Sequence, residues 1–425
     1  MSQLLLKHAL SSPHDSAMDL ELGGGAQAAD ETEPRGSSRW SRLPPGAIGT
    51  ALGLGGLSTL IDTCIGLELH RDGRGMYLAH GSHLGLGLSR SLSADPSLST
   101  VLPAEFHVVH RVLLFFVLLA SLAYACKTIF APLTVLSELL DPRKSPSLGA
   151  LAMCGMLLSP WPLGAAWLPL PTCGALLVTA CHLEQSRRHK LPLEPSSFAA
   201  NVSIGLFPIV GTHAGFAAPA RDACFCLALL LSVVTTPPVL LHLARSRAHV
   251  ADPSIWQLAA PWALLAAGWH VSDGGARTPA ALGTLLCSLA LALLALTAGL
   301  TVLRARPIAE TFFTPIWAAF TFPTCTSATA LLHYAARLRS PALALGGLTL
   351  AAAAAVAVFA VAGLTAWHLP GWLREVRGRE DSGETGEEAS KEVPEEVLQP
   401  VPDDGPPAPV REEEPSEVYK KKRVV

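Results

Sequence analysis

Charged residues are scarce through the middle of this chain. Asp, Glu, Lys and Arg make up 15% of its 425 residues while half are hydrophobic, and long stretches between Leu43 and Leu369 carry almost no charge. That composition excludes a soluble globular domain. C-x-x-C pairs are also missing: the nine cysteines stand at 64, 126, 154, 173, 181, 224, 226, 287 and 325, nearly all inside apolar runs. Such spacing predicts neither a disulfide framework nor a metal site. Cys224 and Cys226, two apart, point about 200° away from each other on a helix. Catalytic signatures are absent too: no H-E-x-x-H, G-x-S-x-G, P-loop or Rossmann glycine fingerprint occurs. His213, His242, His270 and His333 fall on four different apolar stretches, each near an end. Neither an enzyme nor a cofactor is therefore expected, nor is a nucleic-acid partner. Leu4 to Leu6 is too short for a signal-peptide core, and Asp15, Asp19 and Glu21 argue against a transit peptide. The first membrane helix is expected to act as its own insertion signal.

What the chain does contain is a run of apolar stretches, at about 44–67, 108–126, 147–163, 169–184, 197–214, 223–243, 255–271, 280–303, 312–334 and 342–368. About 20 apolar residues cross a bilayer as a helix, so the expected architecture is an all-α membrane domain of ten spans over residues 43–369. Residues 1–42, rich in Ser, Gly and acid, read as a disordered tail, and 370–425, dense in Glu and Pro, as a second one. Ten spans put both tails on one side. If that side is cytoplasmic, the inner connections hold Lys127, Arg143, Lys144, Arg187, Arg188, Lys190, Arg245, Arg247, Arg304 and Arg306. The short outer ones then hold Arg221, Arg277, Arg337 and Arg339. The excess of basic residues favours cytoplasmic termini, with the plasma membrane as the default location.

The spans are not alike. Gly46, Gly49, Gly53 and Gly56 share one face of span one, where small residues let helix backbones approach closely in lipid. Spans five, seven and nine hold Pro208, Pro261 and Pro323 in their interiors, while spans four, eight and ten hold none past the first turn. The odd helices are expected to be kinked and inner, the even ones outer; span six, with Pro237 and Pro238, breaks the alternation. Asn201-Val202-Ser203 matches a glycosylation acceptor but lies inside span five.

Span nine, from Thr311 to Tyr334, carries two prolines and seven Thr or Ser hydroxyls. Proline frees backbone carbonyls, and such breaks persist at membrane depth only where protein or a water-filled cavity satisfies them. Phe322, Thr326, Thr329 and His333 fall on one helical face, a bulky ring followed by polar groups. The competing reading of that face is a packing helix with its hydroxyls bonded back to its own carbonyls. No carboxylate stands deep in spans three to ten, and Glu310 sits at the mouth of span nine. Buried carboxylate relays, usual in ion-coupled symporters, are thus missing, as is a mid-span arginine to hold an anion tightly. Weak binding with easy release is what conduction requires.

Five segments carry a resemblance: GAIGTALGLGGL in span one, ELLDPRKSPSLGAL before span three, SIGLFPIVG in span five, APWALLA in span seven and PIWAAFTFPTCTSATALL in span nine. They resemble the tellurite-resistance and dicarboxylate transporter family. TehA-like proteins, fungal malate permease and sulfite efflux pumps, and slow-type anion channels belong to it; it is also described as the voltage-dependent anion channel family. The likeness runs from about Leu43 to Leu369. It implies ten helices as five hairpins around a central pore, a homotrimer, and a phenylalanine on helix nine that occludes the pore. By motif position that ring is Phe322, with Phe320 the alternative if the register differs by one kink. Pore lining carried over by position is Gly49, Gly53, Pro208, Pro261 and Pro323, beside Thr326 and Thr329 on the Phe322 face. Two positions depart from the pattern: Ile48 stands where an aromatic is usual, and ALAMCGML in span three lacks the usual mid-helix proline.

The expected function is passage of small anions, inorganic ions or C4-dicarboxylates such as malate, through a Phe-gated pore. The alternatives are a proton-coupled dicarboxylate permease, a sulfite or tellurite efflux protein and, from another class, a membrane receptor signalling through the acidic tail.

Overall fold

The computed structural model describes residues 47–72, 75–80, 99–100, 106–159, 164–245, 253–271, 280–303, 313 and 315–389; the side chains of 68–100 and 371–389 are not among the described groups. The chain divides into two compact units, 1–368 and 369–425. The architecture below is that of the first.

Helix α1, Ala47–Gly66, enters the core, and 72% of its apolar window is buried. A small antiparallel sheet follows, β1 Leu67–Asp72, β2 Gly75–His80 and β3 Ser99–Thr100, in the order β2-β1-β3. This corrects the purely helical expectation. Leu67, Leu69 and Met76, Leu78 alternate with polar residues at the strand period, and glycines follow Asp72 in the manner of a hairpin turn. Then come α2 Phe106–Phe130, the short α3 Pro132–Leu140, α4 Ser145–Leu157 and α5 Pro169–Arg188. The fifth apolar stretch is broken into a 3-10 turn Pro195–Ser197, α6 Phe198–Asn201, a 3-10 turn Ser203–Leu206 and α7 Phe207–His213. It is followed by α8 Ala218–Arg245, a 3-10 turn Pro253–Leu258 with α9 Ala260–Val271, and α10 Ala280–Leu303. A 3-10 turn Pro315–Phe320 leads into α11 Thr321–Leu338, and α12 runs Pro341–Ala389. The tail expected from 370 is therefore helical in backbone to Ala389, while residues 1–42 and 390–425 lie outside the described residues.

Six of these helices are long and apolar enough to cross a membrane: α1, α2, α5 (with the turn before it), α8, α10 and α12. The remaining apolar stretches, three, five, seven and nine, are shorter or interrupted. The even helices show outward faces, only 28–39% of their windows being buried, whereas α9 and α11 are buried along most of their length. Inner odd and outer even stretches are thus distinguished by burial.

The odd-span prolines do something other than kink a continuous helix. Pro208, Pro261 and Pro323 each stand in the first turn of an α-helix that follows a 3-10 segment. At that position the missing N–H costs nothing, because first-turn donors have no helical partner. Threonines close the carbonyls at the break: Thr321 Oγ1 donates to the carbonyl of Ala318 at 2.7 Å, and Thr324 Oγ1 lies 2.8 Å from the carbonyl of Phe320. Asn201, of the acceptor triplet, is fully buried in the broken fifth stretch.

Glycine contacts set the spacing of the inner helices. A Cβ at Gly49 would sit 3.0 Å from Ala318 Cβ, and at Gly53 2.2 Å from Thr321 Oγ1. The glycine face of α1 is therefore the surface on which the ninth stretch rests. Gly149 on α4 meets backbone instead, since a Cβ there would lie 2.2 Å from the carbonyl oxygen of Ala199. Only glycine fits where α4 crosses the fifth stretch.

Candidate functional site

Two cavities lie one after the other along the odd stretches. The first, of about 250 Å³, is bounded by the N-terminal halves of these stretches: Gly49 and Leu52 of α1, Ala150 and Met153 of α4, Phe198 and Val202 of the fifth, Leu264 of α9, and Ala318, Phe322 and Pro323 of the ninth. Among the described residues, Arg143, exposed just before α4, is the one charged residue in its lining; Ser147, Ser196 and Gln257 add polar groups. The second cavity is about 10 Å³, roughly the room one water needs. Gly56, Thr59, Leu157, Leu206, Ile209, Leu264, Ala267, Phe322, Thr326 and Thr329 line it. Every helix bordering either cavity belongs to an odd stretch, and no residue of α2, α5, α8, α10 or α12 takes part.

Phe322 and Leu264 are the residues common to both linings. The Phe322 ring is 5% exposed and lies against Gly56, where an added Cβ would stand 3.0 Å from Phe322 Cδ2. Gly56 and the ring both line the smaller cavity. Phe320 borders neither space: it stacks on Trp317 at 5.5 Å and packs against Trp256 at 5.0 Å between ring centroids. Of the two phenylalanines, it is Phe322 that borders both cavities.

The other expected lining residues divide. Gly49 and Pro323 border the larger space, Thr326 and Thr329 the smaller. Gly53, Pro208 and Pro261 border neither. Gly53 is covered by Thr321, Pro208 packs on Gly268 of α9, and Pro261 is buried in the first turn of α9. Thr326 also differs in chemistry from the expectation: its Oγ1 donates to the carbonyls of Phe322 and Pro323, at 3.0 and 3.1 Å. Its wall position and its back-bonding hold together, so the cavity surface there is weakly polar. Leu264, Leu52 and Gly56 carry no chemical signature in a sequence; the one signal was the helical spacing of Leu264 three residues after Pro261.

A small-volume constriction flanked by a wider vestibule, walled by broken inner helices within an apolar outer ring, defines an integral membrane protein of the channel or transporter class. The family profile of the voltage-dependent anion channels matches residues 42–366, and the chain belongs to that family. This is the family its motifs resemble, and its members move anions across membranes rather than catalyse reactions. No curated protein matches the chain.

Proposed function

We propose that the chain conducts small anions through a pore formed by the odd stretches of a ten-span domain, residues 43–369, with Phe322 as the steric gate. The observation that supports this reading is that Phe322 belongs to the linings of two cavities bordered by the same odd stretches. First-turn residues of α4, α9 and α11 (Pro146 and Ser147, Ala260, Phe322 and Pro323) line the larger cavity, and helix N-termini favour anions through their dipoles. Arg143 at its rim adds the same sign of potential. Apart from Arg143 the lining is apolar or hydroxylic with the one amide of Gln257, and among the described residues no further cation compensates a dehydrated charge.

That lining favours inorganic monovalent anions over dicarboxylates. Desolvation cost rises steeply with charge, and weak coordination lets an ion leave as readily as it enters. Full-length protein in liposomes, tested with chloride, nitrate, sulfite and malate in turn, is expected to pass the monovalent ions faster than malate. Malate uptake with alkalinisation of the bath, exceeding chloride and nitrate flux, would establish the proton-coupled permease instead.

The tails are assigned to the cytoplasm, the membrane is taken as the plasma membrane and the assembly as a homotrimer. Orientation rests on the distribution of basic residues. Lys127 and Arg221 are both buried, so each side loses one residue from the count and the excess stays with the termini. Under this assignment the larger cavity opens to the cytoplasm.

A further inference from the structure

The second membrane helix ends in a feature the conduction pathway does not use. Tyr124, Lys127 and Glu138 form a buried cluster: Tyr124 donates its hydroxyl to Glu138 Oε2, Lys127 Nζ lies 2.5 Å from Glu138 Oε1, and Lys127 is fully buried. In one straight helix the Cα atoms of residues 124 and 138 would stand about 21 Å apart, at 1.5 Å per residue, far beyond the reach of the two side chains. The chain therefore turns sharply between α2 and α3. The turn is at Ala131, whose φ of -138° and ψ of 56° leave the helical region, followed by Pro132. α3 lies across the end of α2 rather than prolonging it.

Its outer face is apolar and uncovered. Phe115, Leu119 and Leu122 of α2 make an exposed stripe at helical spacing, continued by Ile129 and then, on α3, by Leu133, which is 69% exposed, and Leu136. The α2 part of that stripe lies on a long apolar helix that turns most of its surface outward, and in the proposed reading it faces lipid. Basic residues cluster beside it: Arg143 and Lys144 follow α3, Arg187 and Arg188 end α5, which packs on α3, and Lys190 follows it, five cations against Asp141, Glu184 and Glu194. Lys144 lies 3.5 Å from Asp141, and Arg187 and Arg188 share Glu184, so the net charge of the cluster remains positive. Amphipathic helices of this kind lie in the plane of the interface, with cations drawn to anionic headgroups.

We propose that α3 is an interfacial helix seated in the inner leaflet, and that Arg143 and Lys144 hold the headgroup of an anionic lipid. The continuity of the lipid-facing stripe and the net positive charge beside it identify the occupant. Arg143 also borders the vestibule, and the turn carrying it is tied back by its own N–H to Asp141 Oδ1 at 2.9 Å. A bound headgroup thus sits at the cytoplasmic rim of the pore. The assignment to the inner leaflet rests on the orientation proposed above.

Two measurements on the full chain test this without recording anion flux, so failure of the channel reading and failure of this one are distinguishable. A spin label at Leu133→Cys, with Cys173 and Cys226 replaced by serine, is expected in liposomes to be more accessible to oxygen than to a water-soluble nickel complex. The reverse order, or dipolar broadening between labels of neighbouring protomers, would overturn the proposal in favour of water or a second copy. In neutral detergent, added phosphatidylserine is expected to raise the Tm, while phosphatidylcholine and inorganic phosphate do not. Arg143→Gln with Lys144→Gln should raise the phosphatidylserine concentration needed for half the shift by about fivefold per residue, the equivalent of about 1 kcal/mol each. An unchanged shift in that variant, or an equal shift with phosphatidylcholine or phosphate, would also overturn it.

Discussion

Phe322→Ala is expected to raise anion flux through the reconstituted protein by about tenfold or more, which corresponds to a barrier lower by about 1.4 kcal/mol. The ring is packed against Gly56 on α1 and shares with Leu264 the boundary between the two cavities. Truncation to alanine removes the larger of the two side chains common to the cavities of about 250 Å³ and about 10 Å³, and in the proposed reading it opens the way between them. Phe322→Leu should give an intermediate flux, because the side chain is shorter but still fills part of the boundary. Phe320→Ala should leave flux near wild type, since that ring stacks on Trp317 and Trp256 away from both cavities. Truncating a buried phenylalanine also removes about 3–5 kcal/mol of packing. Flux is therefore compared per folded protein, measured by the fraction that elutes as a single species. Equal flux in wild type and Phe322→Ala at equal folded amount would show that this ring gates nothing.

The second large effect concerns the buried cluster at the α2–α3 turn. Lys127→Met should destabilise the protein by about 3–5 kcal/mol, the usual cost of leaving one member of a buried ion pair without its partner. Glu138 would then remain buried with only the Tyr124 hydroxyl to compensate its charge. The double variant Lys127→Met/Glu138→Gln removes both charges and keeps an acceptor for Tyr124, so it should recover most of the loss. Thermal unfolding in detergent reads both. If the single and double variants fall by the same amount, the ion pair is not what fixes α3 in place.

Much of the architecture was legible because its signals are local. The glycines of α1 repeat at the helical period and do meet the ninth stretch, Gly49 at Ala318 and Gly53 at Thr321. Phe322 stood out as a ring on an otherwise hydroxylic face, and a cavity wall is where it lies. The alternative reading of that face was also sound, since Thr326 bonds back to its own helix while bordering the smaller cavity. Lining a cavity and back-bonding are compatible, which a face plotted on a helical wheel does not reveal.

What the sequence concealed depends on geometry between segments. Pro208 and Pro261 were expected to line a pore by their position in the family's motifs, but a motif position does not say which way the helix that carries it is rotated. Leu264 shares the boundary with Phe322 and has no chemistry to announce it. The contact between Glu138 and Lys127 spans a turn at Ala131 that no periodicity encodes. The small sheet after α1 was missed because its strands are short and polar on alternate positions, within a connection that reads as a loop.

The central claim is that anions travel between the odd stretches, past Phe322 and Leu264. Its most direct test is flux through Leu264→Cys before and after treatment with a negatively charged, thiol-reactive sulfonate, in the Phe322→Ala background so that the reagent can reach the site. Leu119→Cys on the outward face of α2 serves as control. Modification at position 264 is predicted to abolish most of the flux, while modification at 119 leaves it intact. Undiminished flux after verified modification of Leu264→Cys would place the anion route elsewhere in the molecule.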